Sequence, residues 1–335
     1  MKAPFVWFGG KRRVAPEVWA ALGDVPNYIE PFAGSLAVLL GRPHDMSNGT
    51  RRAETVNDAD GFLANFWRAL AHDPEAVAHW CDWPVNEVDL FARHLWLVNT
   101  GRSRLLEGME ADPDFYDAQV AGWWVWGVNA WIGSGWCSGD GPWVDTGDGI
   151  GKRPHLGSAG QGVNRQLPHL GNAGRAGYNN MEYRPNVLGY FEELAGRLRD
   201  VRVCCGDWSR VCTSGAMSYG SRVGVFLDPP YLGDVRTADL YAVDDHTIAH
   251  AVRDWCLEHG DDPRLRIVLA GYRAEHDDLM PDTWRRHYYS ASAAYSTTES
   301  AARQDGNHAN RANEVLWFSP HCVTPDRQGE LWEAQ

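Results

Sequence analysis

Val223-Gly224-Val225-Phe226-Leu227-Asp228-Pro229-Pro230-Tyr231 decides the fold of this chain. The first five residues form a short, wholly apolar run, which is how a strand buried on both faces of a parallel sheet reads. The run stops at a carboxylate and two prolines, whose fixed φ and missing N–H donors end a strand. Open parallel sheets bind ligands beyond the carboxyl ends of their strands, so Asp228 to Tyr231 stands where a site is expected. The tetrapeptide offers a carboxylate acceptor, a carbonyl acceptor and an aromatic face. An exocyclic amine on a planar ring can use all three. Taken alone, the same residues also make a rigid strand-ending turn.

Upstream, Asn27 to Phe32 is an apolar run that breaks at Ala33-Gly34-Ser35, and Leu36 to Leu40 resumes as a helix. Glu30-Pro31-Phe32-Ala33-Gly34-Ser35 is therefore a strand, a glycine turn and a helix start, a place suited to a carboxylate or phosphate. Neither GxGxxG nor GxxxxGK[ST] occurs there, which disfavours nicotinamide and ATP chemistry. Arg52 to Asp58 reads as a second strand ending in Asn57 and Asp58. Further strands are predicted at Val201 to Cys205, Arg266 to Ala270, Arg286 to Tyr289 and Glu314 to Phe318. Helices are expected over Val187 to Leu198 and, capped by Asp245, through Ile248, Val252 and Trp255. Strands alternating with helices predict an α/β fold, a mostly parallel sheet of about seven strands.

The middle reads differently. From Ala59 to about Ile132 the period is helical, with Phe62, Leu63, Phe66 and Leu70 on one face and Val88, Phe91, Leu95 and Val98 on another, enough for three or four helices. Residues 133 to 177 then carry 13 glycines in 45 positions, with a near-repeat at Pro154 to Gly160 and Pro168 to Gly174 that predicts a double loop. Seventeen tryptophans are unusual for 335 residues. The cluster Trp123, Trp124, Trp126, Trp131 and Trp136 favours a helical core over a base-stacking platform.

Apolar residues at 44% and charged residues at 22% describe a globular chain, and the net charge of −13 disfavours a whole-surface nucleic-acid binder while leaving room for a local basic face. Seven cysteines without a CxxC pair suit a reducing, cytoplasmic setting, and no signal peptide or membrane anchor is read at the N-terminus. His155 and His169 lack the partners of a zinc site, so no metal is expected.

Phe5-Val6-Trp7-Phe8-Gly9-Gly10-Lys11, then Glu30 to Ser35, then Asp228 to Tyr231, in that order, resemble the N6-adenine DNA methyltransferases. The likeness covers about residues 1–58 and 186–320. It implies a Rossmann-like catalytic domain on those segments, an inserted target-recognition region at 59–185, and a tail at 321–335. It also implies S-adenosylmethionine as cofactor and double-stranded DNA as partner. Trp7, Gly10 and Lys11 would border the methionine end, while Glu30, Pro31, Phe32, Gly34 and Ser35 would form the turn beneath it. Asp58 would hold the ribose hydroxyls, and Asp207, with Trp208 nearby, the adenine. Asp228, Pro229, Pro230 and Tyr231 would be catalytic, with Asp228 also beside the cofactor. The segment at Asn313, Glu314 and Trp317 resembles the last strand of the family.

Contact with DNA has to coexist with the acidic body. Between 151 and 190, Lys152, Arg153, Arg165, Arg175 and Arg184 stand against one acid, Glu182. Lys152, Arg153, Arg165 and Arg175, with Trp131, are the expected DNA contacts. Transfer to RNA adenine or to a protein glutamine amide, a catalytically silent DNA-binding protein on the same fold, and a transferred group other than methyl stay open.

Overall fold

A computed structural model describes residues 1–5, 7, 10–43, 52–131, 136–137, 143–145, 150–152, 187–230, 245–289 and 314–324. After a 3-10 turn at Lys11–Arg13 come α1 (Ala15–Leu22), β1 (Asn27–Glu30), α2 (Ala37–Leu40) and β2 (Ala53–Asp58). Helices α3 (Gly61–His72), α4 (Pro74–Cys81), α5 (Glu87–Trp96), α6 (Arg102–Ala111) and α7 (Ala118–Ala130) follow, then the hairpin β3 (Trp143–Asp145) and β4 (Ile150–Lys152). The chain continues through α8 (Val187–Leu198), β5 (Val201–Cys205), β6 (Val223–Leu227), α9 (Asp245–His259) and β7 (Leu265–Tyr272). It closes with α10 (Arg273–His276), β8 (Arg285–Tyr289) and β9 (Glu314–Phe318).

Seven strands make one sheet in the order β5-β2-β1-β6-β7-β9-β8. β1 runs parallel to β2 and β6, and β6 runs parallel to β7. β9 lies antiparallel between β7 and β8, which makes the sheet mixed. The result is the Rossmann-like α/β sheet expected, with each of the seven strands where the sequence predicted a strand. All five residues of β6 are buried, as are all four of β1. β1 stops at Glu30, earlier than the apolar run, because Pro31 has no N–H to continue the ladder.

The chain divides into two compact units, one of Met1–Trp7 with Asn57–Asp207 and one of Phe8–Val56 with Trp208–Gln335. In the first, the stretch predicted to hold three or four helices holds five. Asp60 caps α3, its Oδ1 accepting from Phe62 N at 2.8 Å and Leu63 N at 3.4 Å. Trp67, Trp124 and Trp126 are fully buried, and Phe66 packs against Trp67 and Trp124 with centroids 4.9 and 5.6 Å apart. The tryptophans thus build the core of the helical unit.

The buried face of α5 differs from the one read in the sequence: Val88 is 76% exposed, while Leu90, Phe91, Arg93 and His94 are buried. Aromatic rings set this face. The Arg93 guanidinium lies 4.2 Å from the Trp126 centroid and 5.2 Å from that of Trp123, and His94 stacks on Trp131 at 4.8 Å. Cation–π attraction buries a cation that the apolar periodicity assigns to solvent. Asp245, expected as a cap, is the first residue of α9 itself.

Candidate active site

In the second unit, one ammonium group is shared by two carboxyl groups. Lys11 Nζ lies 3.0 Å from Asp228 Oδ1 and 3.9 Å from Glu314 Oε2. The lysine side chain is 4% exposed, that of Glu314 6% and that of Asp228 20%. Three elements deliver these groups. The 3-10 turn after Gly10 buries Lys11 while leaving Arg12 and Arg13 exposed, β6 ends immediately before Asp228, and β9 begins at Glu314. Burying a charge is costly unless it is paired, so the ammonium and its carboxylates stabilise one another in place. Two carboxyl groups to one ammonium leave a formal surplus of negative charge.

Beside this cluster, the β1-to-α2 turn is held by Glu30. Its Oε2 accepts from the Tyr28 hydroxyl at 2.8 Å and from Leu39 N at 3.2 Å. Burial pushes the Glu30 carboxyl up to about 8, with Asp228 and Glu54 adding in the same direction and the two hydrogen bonds opposing them. At neutral pH Glu30 is therefore mostly protonated. The turn itself carries positive φ at Gly34 (46°) and at Leu36 (53°). For leucine that conformation costs roughly 1–2 kcal/mol, and a buried side chain at 0% exposure holds it there. Pro31 and Ser35 are buried, Phe32 is half-buried, and its ring stacks on Trp208 with centroids 6.2 Å apart and planes at 27°. Trp208 in turn meets Trp255 edge-on at 6.4 Å.

The first unit carries more of the sequence-predicted residues, among them Asp58, Asp207, Trp7 and Trp131. Asp58 ends β2, and its Oδ1 accepts from Asp60 N at 2.9 Å. Its backbone oxygen accepts from Gly206 N at 3.0 Å, and Asn57 Nδ2 donates to Gly206 O at 2.9 Å. The ends of β2 and β5 are thereby tied, with exposed Asp207 next in the chain after Gly206, whose φ is 130°. Trp7 packs against Phe5 and Trp124, with centroids 5.8 and 6.2 Å away. Trp131 is 8% exposed and packs against Phe91, His94 and Trp136. Tyr231, Arg153, Arg165, Arg175 and Asn313 lie outside the described residues, and Lys152 is described only as backbone of β4.

Two contributors escaped the sequence reading. Tyr28 carries no motif, although its spacing of two from Glu30 along a strand puts both side chains on one face. Glu314 was noted as part of a strand, but only the tertiary structure brings it to Lys11.

Residues 7–86 match the family model of the D12 class N6 adenine-specific DNA methyltransferase. That stretch, about a quarter of the chain, is similar to an N6 adenine-specific DNA methyltransferase. No curated protein matches the chain. Among the described residues, no helix is long and apolar enough to cross a membrane, and no group of three or more His, Cys, Asp or Glu is placed to hold a metal ion.

Proposed function

We propose that the protein transfers a methyl group from S-adenosylmethionine to the N6 amine of an adenine flipped out of double-stranded DNA, within one short sequence. The observation that carries this reading is the Lys11–Asp228 pair, at 3.0 Å, which joins the first and last of the three motifs at the carboxyl end of β6. The residues present fit the cofactor: the surplus negative charge of the cluster suits a positively charged sulfonium, and the positive φ of Gly34 leaves the β1-to-α2 turn without a side chain at that position. When bound, the cofactor supplies the methyl group, the carbon–nitrogen bond forming as the carbon–sulfur bond breaks. Lys11 and the turn Glu30 to Ser35 line the methionine end in this reading. The roles of Asp58 on the ribose and Asp207 on the adenine rest on the family resemblance.

The N6 amine is a weak nucleophile because its lone pair is delocalised into the purine. Asp228 and the Pro229 carbonyl accept hydrogen bonds from its two N–H groups and stabilise the positive charge that develops on nitrogen, and the methylated nitrogen then releases one proton to water. Orientation of the reacting atoms contributes a further ~7–11 kcal/mol. Flipping the base costs a few kcal/mol, and stacking on Tyr231 recovers ~1–3 kcal/mol. Residues 59–185 form the target-recognition region, with Lys152, Arg153, Arg165 and Arg175 on phosphates, and residues 1–58 and 186–320 form the catalytic part.

The test is incubation of the purified protein with S-adenosylmethionine and unmethylated genomic DNA, followed by mapping of modified bases and nucleoside mass. N6-methyladenine confined to one short motif is the expected result. Unmodified DNA with cofactor still bound points instead to RNA or protein as acceptor. Loss of both activities leaves a silent DNA-binding protein.

A further inference from the structure

The reversal of β9 has a chemical consequence. β1, β6 and β7 present their carboxyl ends at one edge of the sheet, where Asp228 lies, and an antiparallel strand presents its first residue at that same edge. Glu314 is that first residue. It is paired in register with Tyr272, the last residue of β7, and with Tyr289, the last of β8. Its carboxyl group is buried, 6% exposed, and its ion-pair partner is the ammonium that also holds Asp228. Removing one partner of a buried ion pair leaves the other charge uncompensated, so Glu314 and Lys11 hold one another in place. The Glu314 carboxylate sits 3.9 Å from Lys11, close enough to attract the ammonium but longer than the 3.0 Å contact to Asp228.

We infer that Glu314 is a positioning residue for methyl transfer, acting through Lys11. It draws the ammonium partly away from Asp228, so that Asp228 keeps acceptor capacity for the hydrogens of the target amine. As the amine arrives, Lys11 shifts toward Glu314 and the two carboxylates exchange their share of it. No bond to Glu314 forms or breaks in this step. Without Glu314 the ammonium is drawn more strongly to Asp228, and that carboxylate meets the amine with less of its charge available. This inference rests on the role given to Asp228 above.

The experiment compares wild type with Glu314→Gln, which keeps shape and removes charge. Steady-state methylation of a duplex containing the mapped motif is measured together with cofactor binding by calorimetry and with thermal melting. The expected result is a fall in kcat of about tenfold, equivalent to ~1.4 kcal/mol, with KM for DNA and the cofactor dissociation constant unchanged. Wild-type kcat in a folded variant overturns the inference, as does a loss of activity that follows only the unfolded fraction. If Glu314→Gln does not fold, Glu314→Asp keeps the charge but draws it back by one methylene. A drop in kcat at unchanged cofactor affinity is then expected, and wild-type kcat overturns the inference. Absence of adenine methylation by the wild-type protein overturns the functional reading and this inference together, whereas transfer by wild type and Glu314→Gln alike overturns the inference alone.

Discussion

Lys11 and Asp228 stand 217 positions apart in the chain and 3.0 Å apart in space, and the chemistry proposed here turns on that contact. Truncating Asp228 removes an acceptor for the target amine while leaving the β1-to-α2 turn intact. Asp228→Ala is expected to lower methyl transfer by about 10²–10³-fold, with S-adenosylmethionine still bound in calorimetry. Turnover at the wild-type level in that variant would falsify the assignment of Asp228. Glu30 plays a different part at the same scale. Its protonated carboxyl is taken up by Tyr28 and Leu39, so it braces the turn from within the protein.

At the scale of elements, α7 shows how packing overrides propensity. Gly127 lies in the middle of this helix, where alanine ordinarily stabilises by roughly 1 kcal/mol. A Cβ there would run into the indole of Trp136, whose Nε1 donates to Trp124 O at 3.1 Å. Overpacking of this kind costs typically 1–3 kcal/mol, so Gly127→Ala should destabilise, and a raised urea midpoint would contradict the packing. The cap of α3 makes the opposite kind of case, because local hydrogen bonding, aided by attraction to Arg102, is at stake. Asp60→Ala removes the acceptor for Phe62 N and Leu63 N. A loss of ~1 kcal/mol is expected in chemical denaturation.

For the whole molecule, buried titratable groups set the dependence of stability on pH. Burial holds His94 and His276 down to about 4, from an ordinary 6.5, with Arg253 and His250 adding to the effect at His276. Between those values the unfolded chain binds two protons that the folded chain refuses, so stability rises with pH. Glu30 works in the other direction, holding from 4.5 to about 8 a proton that the unfolded chain releases. Two histidines outweigh one glutamate up to about pH 6.5, after which the glutamate prevails and stability declines, with the buried thiols of Cys81, Cys137, Cys256 and Cys322 adding in the same direction as pH nears 9.0. Urea midpoints measured from pH 4.5 to 8.5 should therefore pass through a maximum near pH 6.5, and Glu30→Gln should flatten the alkaline side. A midpoint still climbing at pH 8 in the wild type would rule out a protonated Glu30.

Much of this was legible in the amino-acid order. The central strands follow from apolar runs such as Val223 to Leu227, since a strand covered on both faces needs continuous hydrophobicity over its own few residues, whereas the edge strands β5 and β8 are only partly buried. The turns after β1 and β6 follow from Gly34 and from Pro229-Pro230, whose backbone preferences are local. The face of α5 was not legible, because Arg93 and His94 are buried by tryptophan rings from other elements. Nor was the sharing of Lys11 between Asp228 and Glu314, or the proton carried by Glu30. Hydrophobic periodicity is a property of neighbours in the chain. Charge pairing and desolvation depend on distance in space, and in this protein the reversed strand β9 sets that distance for Glu314.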